Sequence, residues 1–495
     1  MTGYLELLKL AAPETIVVLA ALAVLAIDLT TMRELAIRTR LTVCAMFASA
    51  GCALAVVWML VMPEHADALG GMLVVDPLTQ LVKMAILVLA VFTVLLSIDT
   101  DFTRHAGEYV ALVLLAAVGM MFLVSAEDVL MIFIALELTS LSLYILTAFN
   151  KHDIKSAESA LKYFLFGGMA AAFTLFGLSL LYGLSGSTHL RQIAAALDGK
   201  GLDPLLVVAM VMVVIGFGFK VAAVPFHLWA PDAYQGAPVP SAAFIASGSK
   251  VASFFILAKV LLLGFAGVEG SAAWCHHAPG WMPMLGVIAA LSMVLGNFVA
   301  IVPTSVRRLL AYSAIAHAGY VLLAVMSRSE AGVTSLIYYT VTYGLTTVGA
   351  FGVVAVVEQQ AGDDRLSNFA GLSRRAPVVS LCMLVFMLSL AGIPPLAGFF
   401  GKFYVFAGAV QGAPDLGLLW LVILAIAMSA VSLYYYLQVL KQIYVADAPA
   451  QTAPVKVSGV TQVVLCLLAL AVVVLGAMPG WLLDLVTRAI QQTGL

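Results

Sequence analysis

Residues 216–234 read GFGFKVAAVPFHLWAPDAY, and residues 389–406 read SLAGIPPLAGFFGKFYVF. Each is an apolar run with proline in its interior, Pro225 in the first and Pro394 and Pro395 in the second. Each also carries one lysine, Lys220 or Lys402. A proline inside a helix deletes a backbone hydrogen bond and clashes with the carbonyl four residues back. In lipid such a break survives only where it is packed in protein or lines a hydrated cavity. The two stretches therefore predict two interrupted helices inside a bundle, each with a cation beside the interruption.

The rest of the chain supplies the bundle. It has 495 residues, 63% hydrophobic and 10% charged, with mean hydropathy +1.09. A soluble domain carries about 25% charged residues, so lipid must cover much of this surface. Apolar runs fall near 13–30, 40–62, 74–98, 107–125, 127–148, 157–184, 204–229, 240–266, 281–302, 308–327, 331–357, 377–411, 416–445 and 459–487. The expectation is an all-α polytopic membrane protein of about fourteen spans, with spans 7 and 12 broken. Two breaks five spans apart suggest a repeat, spans 4–8 against 9–13. Five is odd, so the copies are inverted, a pattern of ion transporters. The resulting segments are 1–106 (three helices), 107–266, 267–446 and 447–495 (a C-terminal helix). The longest polar gaps, near 188–203, 358–376 and 446–458, are too short to fold as a domain. No flavin or nucleotide domain is expected here.

Lysine and arginine set the orientation. Thirteen lie in connections after odd-numbered spans, among them Arg38, Arg104, Lys151, Arg307, Arg375 and Lys441; five lie on the other side, namely Lys9, Arg191, Lys200, Arg328 and Arg488. The bias puts odd-to-even connections in the cytoplasm and both termini outside. The amino end lacks a basic n-region and a small-residue cleavage site before its first apolar run, so that span is read as retained. Cys44, Cys52, Cys275, Cys382 and Cys466 form no C-x-x-C pair and read as small buried apolar residues rather than iron–sulfur or zinc ligands. No basic stripe points to nucleic acid.

Six lysines remain inside spans. Lys83 and Lys259 lie toward span ends, where they can snorkel. Lys162, Lys220, Lys250 and Lys402 cannot, and each costs about 2.5–3.5 kcal/mol near the bilayer centre. Glu137, in MIFIALELTSLSLYIL, and His317, in YSAIAHAGY, complete a set of ionisable groups on separate helices. Lys220 precedes its break on a span running inward, and Lys402 follows its break on a span running outward. Both then share one depth, which suits a row of charges along the membrane plane. A lysine whose carboxylate partner strengthens or weakens becomes a site that loads and releases protons. The alternative for Glu137 and Lys162 is a static ion pair, and for His317 a packing residue.

Other signals have plainer readings. His227 follows the Pro225 break, where capping of freed backbone groups and a functional role are equal readings. Pro231, Asp232, Tyr234, Pro238 and Pro240 read as a rigid cytoplasmic turn, and Tyr434, Tyr435 and Tyr436 as interface anchors. His276 and His277 are two adjacent histidines, too few for a metal site. Gly216 and Gly218 lie in a membrane helix with no preceding strand, so they are no dinucleotide fingerprint.

Residues 219–254, FKVAAVPFHLWAPDAYQGAPVPSAAFIASGSKVASF, and 372–406, LSRRAPVVSLCMLVFMLSLAGIPPLAGFFGKFYVF, together with FIALELTSLSLYIL at 133–146, resemble one known family. It is the subunit N family among the antiporter-like membrane subunits of bacterial NADH:quinone oxidoreductase (respiratory complex I). The resemblance runs from about span 3 to span 13. It implies a Glu137–Lys162 pair, a central proton lysine at Lys220, a connecting lysine at Lys250, a terminal lysine at Lys402 and His317 between the halves. It implies proton translocation from cytoplasm to periplasm across the bacterial inner membrane, driven by quinone reduction elsewhere. NAD, FMN, iron–sulfur clusters and quinone are then expected in other subunits, with no redox site in this chain. Subunit M and the small subunits K and J are the expected neighbours, besides lipid. Sister subunit L carries extra C-terminal helices that are missing here, and subunit M has an acid where Lys402 stands. Laying span 8 on span 13 matches Lys259 with Lys441 but puts Lys250 opposite Ser432, so the repeat is imperfect. A free-standing cation/proton antiporter and a scaffold with static ion pairs are the competing functions.

Overall fold

The computed structural model describes residues 4–493 apart from 200, 275, 413–415 and 448–454, so Lys200 and Cys275 lie outside the described residues. Short α1 (Tyr4–Leu10) leads into α2 (Ala12–Thr30), α3 (Ile37–Met59) and α4 (Pro77–Ser97), with a β1–β2 hairpin (Ala66–Ala68, Leu73–Val75) before α4. Next come α5 (Ala106–Ser125), α6 (Val129–Thr147), α7 (Ile154–Ser185), short α8 (Leu190–Leu197) and α9 (Pro204–Lys220). After a break come α10 (Trp229–Gly236), α11 (Val239–Ala246) and α12 (Gly248–Lys259), which runs into a π-helical turn, Val260–Gly264. A second hairpin, β3–β4 (Ser271–Ala272, His277–Ala278), precedes α13 (Trp281–Val299), α14 (Val306–Met326) and α15 (Glu330–Ala361). The chain ends with α16 (Leu372–Arg375), α17 (Pro377–Ala391), α18 (Ala397–Gly412), α19 (Leu419–Tyr444), α20 (Gly459–Ala477) and α21 (Gly480–Thr493).

Twelve helices among the described residues are long and apolar enough to cross a membrane. The shorter α9 and α17, continued by α10 and α18, supply the two broken crossings expected from the prolines. Polar side chains fix the ends. Asp76 and Thr79 form a capping box on α4, and Asp128, Asp153, Asp203, Ser305 and Ser329 accept from first-turn amides of α6, α7, α9, α14 and α15. The last apolar run ends earlier than its hydropathy suggests. α20 stops at Ala477, ahead of Pro479, and α21 is amphipathic, burying Val486, Ala489 and Ile490 against α4 and α15. Polar residues at helical spacing, Asp484, Thr487 and Arg488, explain why this segment does not continue the span.

α12, α14 and α15 are buried along nearly their whole length, whereas α2, α3 and α7 turn one face outward. On α7 that face carries Leu161, Leu165, Met169 and Phe176, which suits lipid contact.

Several features recur in order. Asp128, the cap of α6, bridges to His189 just before α8, and Ser305, the cap of α14, bridges to Arg365 just before the 3₁₀ turn Leu366–Phe369. α7 and α15 are both 32 residues long, and each ends on a left-handed glycine, Gly186 or Gly362. A broken helix follows each of them. Gly392 ends α17 at φ +86°, and a Cβ there would lie 3.1 Å from Lys402 Cδ. Gly392→Ala is expected to cost about 1–2 kcal/mol from the left-handed backbone alone. A lower unfolding midpoint of the purified protein would show it; an unchanged midpoint would refute the assignment of a required glycine.

Candidate functional site

The two breaks expose carbonyls that no helical amide can reach, and lysines meet them. Lys250, on α12 and 2% exposed, donates from Nζ to the carbonyl of Val221 at 2.6 Å, where α9 ends. Lys402, on α18 and likewise buried, donates to the carbonyl of Ala391 at 3.0 Å, where α17 ends, and to Ser429 Oγ at 2.8 Å. The C-terminal end of a helix carries partial negative charge, which favours a cation by about 0.3–1 kcal/mol or somewhat more when partly buried. Trp229 Nε1 takes the Phe219 carbonyl at 2.9 Å, and Ser292 Oγ accepts from the Val224 amide at 2.9 Å. Side chains of α10, α12 and α13 thus satisfy the backbone freed at the end of α9. His227 is buried directly after the break, beside the Pro225 backbone.

Lys220 is the last residue of α9 and reaches across to α6, where Nζ donates to Ser140 Oγ. Glu137, one turn earlier on α6, is the acid whose charge acts on Lys220. The expected Glu137–Lys162 pair is not formed. Lys162 binds Glu158 at 2.6 Å, one turn back on α7, and Asp232 of α10 at 2.9 Å. Its side chain is 42% exposed, because α7 is a peripheral helix and Lys162 points to its outer side. Asp232 uses its other oxygen to accept from Arg308 at 3.1 Å. It is therefore a bridging acid, not a residue of turn geometry alone, and a span-by-span reading could not see Lys162 and Arg308 converge on it.

His317 stands between the halves on α14. Its Nε2 meets Tyr436 Oη at 3.0 Å and its Nδ1 meets Tyr339 Oη at 2.6 Å. Tyr436 also bonds Ser313. Tyr320 lies between His317 and Lys402, with its ring 5.6 Å from the imidazole and 5.3 Å from Lys402 Nζ. Tyr435 and Tyr436 are therefore buried members of this network, and only Tyr434 is exposed as an interface anchor should be. Tyr435 donates to Asn297 Oδ1 at 3.0 Å. No hydrogen bond among the described residues links Lys250 to His317.

Lys83 and Lys259 do not snorkel. Both are buried, Lys83 against Glu14 at 2.6 Å and Lys259 against Glu127 at 3.2 Å. Their partners come from distant parts of the chain, which hid them from a local reading. The contrast divides the lysines. Lys83, Lys162 and Lys259 hold carboxylates. Lys220, Lys250 and Lys402 make no ion pair among the described residues and rest on hydroxyls and carbonyls. Such acceptors bind an ammonium and remain hydrogen-bonded to a neutral amine, which still carries two N–H donors. These three sites can change charge without losing their anchors.

The family described as "NADH:quinone oxidoreductase/Mrp antiporter, TM" matches residues 126–431. NADH-quinone oxidoreductase subunit N 2 of Acidobacterium capsulatum is 52% identical over 490 residues, covering 97% of this chain and 98% of that one. A chain of respiratory complex I from Thermus thermophilus superposes with a TM-score of 0.78 at 34% identity, covering 95% of this chain and 98% of that one. A chain of the Mrp complex from Dietzia sp. gives 0.82 at 19% identity, over 98% and 97%, a likeness of fold. The interrupted helices, the bundle and this likeness along nearly the whole length agree: the chain belongs to the subunit N family of NADH-quinone oxidoreductase, a family of antiporter-like membrane subunits.

Proposed function

We propose that this chain translocates protons from cytoplasm to periplasm as a non-redox subunit of NADH:quinone oxidoreductase, driven by quinone reduction in other subunits. The observation that carries the reading is the set of three interior lysines, Lys220, Lys250 and Lys402, anchored without carboxylates at or beside two helix breaks. Protons enter toward Lys220, pass to Lys250, which meets the end of the same half-helix, and move by way of His317 toward Lys402. Lys162 sits at the rim and acts on the row through Asp232 and the position of α10. Residues 107–266 and 267–446 act as the two inverted units. NAD, FMN, iron–sulfur clusters and quinone belong to other subunits, with subunits M, K and J as neighbours in the bacterial inner membrane and both termini periplasmic.

A tagged chain purified in mild detergent should carry NADH oxidation, measured with an artificial electron acceptor. In that complex Lys250→Met and Lys402→Met should each lower protons pumped per NADH while leaving the artificial-acceptor rate unchanged. Loss of activity from an intact preparation would favour a free-standing cation/proton antiporter. Normal pumping by both variants would favour a scaffold.

A further inference from the structure

A polar cavity of about 270 Å³ opens on the face of the bundle that holds the connections after odd-numbered spans. Asp101, Asn150, Asp153, Arg307 and Glu358 line it, beside Gly236 and Ala237 at the end of α10. Arg307 donates to the Ala237 carbonyl at 2.9 Å and pairs with Glu358 at 3.3 Å. None of these groups belongs to the lysine row. From Glu358, α15 runs into the centre of the bundle, and residues 339, 343, 347, 351 and 358 share one stripe by their spacing. The deep end of the stripe is Tyr339, hydrogen-bonded to His317 Nδ1, with the Tyr343 ring 5.0 Å from the same imidazole.

The oxygens along this stripe are unusual. Thr340, Thr342 and Thr346 each donate back to the carbonyl four residues earlier on α15. Thr347 does not: its buried Oγ1 makes no bond to the α15 backbone and faces the Tyr343 hydroxyl instead. Tyr234 Oη and Glu358 Oε2 are buried with no hydrogen-bond partner among the described residues. Tyr234 packs edge-on against Phe351 at 6.0 Å, filling the one apolar step of the stripe, and Tyr343 is among the groups whose charge acts on it. A buried hydroxyl left unbonded costs about 1–3 kcal/mol, and native proteins meet such groups with ordered water. The unbonded Tyr234 hydroxyl and the Thr347–Tyr343 pair, between a polar cavity lined by Glu358 and a histidine, mark a hydrated path.

We propose that this cavity and stripe form a second proton intake, running from Glu358 past Tyr234, Thr347 and Tyr343 to His317 without passing Lys220. It rests on the proton-translocating reading above. Each oxygen on the path accepts one proton and releases another, and His317 Nδ1 takes the last through Tyr339. Arg307 holds the Glu358 carboxylate at the mouth.

The test uses Thr347→Val, Thr347→Ser and Tyr234→Phe in the assembled complex, reconstituted into vesicles, with protons pumped per NADH as the readout. NADH oxidation with an artificial acceptor reports assembly separately. Thr347→Val and Tyr234→Phe should each lower protons pumped per NADH part of the way toward the level of His317→Ala, and Thr347→Ser should restore pumping because it returns the hydroxyl. Wild-type pumping by Thr347→Val and Tyr234→Phe, beside a defective Lys220→Ala, would overturn the intake and leave the lysine row standing. Normal pumping by Lys220→Ala as well would remove both. A Thr347→Val defect that serine fails to rescue would make the position one of packing and also overturn the intake. If Tyr234→Phe does not assemble, the two Thr347 variants decide.

Discussion

Lys220→Ala is expected to lower the protons pumped per NADH through this chain while NADH oxidation with an artificial acceptor continues at the wild-type rate. Lys220 is the point where the first broken helix touches α6, through Ser140, under the charge of Glu137. Alanine removes the only amine at that junction and leaves a carboxylate with no cation on the row beside it. Moving one charge against 100 mV takes about 2.3 kcal/mol, equivalent to a swing of roughly 1.7 pH units in a site's proton affinity. A hydroxyl such as Ser140 cannot supply that swing. Pumping at unchanged stoichiometry in a fully assembled Lys220→Ala complex would mean that the row is not the path.

Lys83→Met should fail in a different way. Lys83 and Glu14 are both buried and pair at 2.6 Å between α4 and α2. Breaking a buried pair by removing one partner costs about 3–5 kcal/mol, because the remaining charge is stranded. The single variant should therefore reduce the amount of folded protein and lower its unfolding midpoint. The double variant Glu14→Gln with Lys83→Met strands nothing and should recover most of both. The molecules of Lys83→Met that do assemble should pump normally per NADH. If the double variant is as damaged as the single one, the pair is not what holds α2 to α4.

The two lysine classes show how much the sequence could reveal. Pro225, Pro394 and Pro395 announced the broken helices because proline acts locally, and Lys162, Lys220, Lys250 and Lys402 stood out because they lie away from the ends of their spans. Partnerships formed across the bundle were invisible. Lys83 and Lys259 looked like snorkelling residues because Glu14 and Glu127 lie on other helices. Asp232 looked like turn chemistry because Lys162 and Arg308 approach it from α7 and α14. Tyr434, Tyr435 and Tyr436 are adjacent letters of one type, yet successive helical residues point about 100° apart, so two enter the core and one leaves it. α21 was absorbed into the last span because its apolar stripe raised the mean hydropathy of a segment with two unlike faces.

The two backbone bridges, Asp128 to His189 and Ser305 to Arg365, each close a ring around one long helix and its neighbour. Both rings enclose nearly the same length of chain, and the first is complete before the residues of the second are translated. A nascent chain leaving the ribosome can therefore clasp its first unit while the second is still being threaded into the bilayer. The order of synthesis then protects a polypeptide that contains the same design twice from pairing the helices of one copy with those of the other.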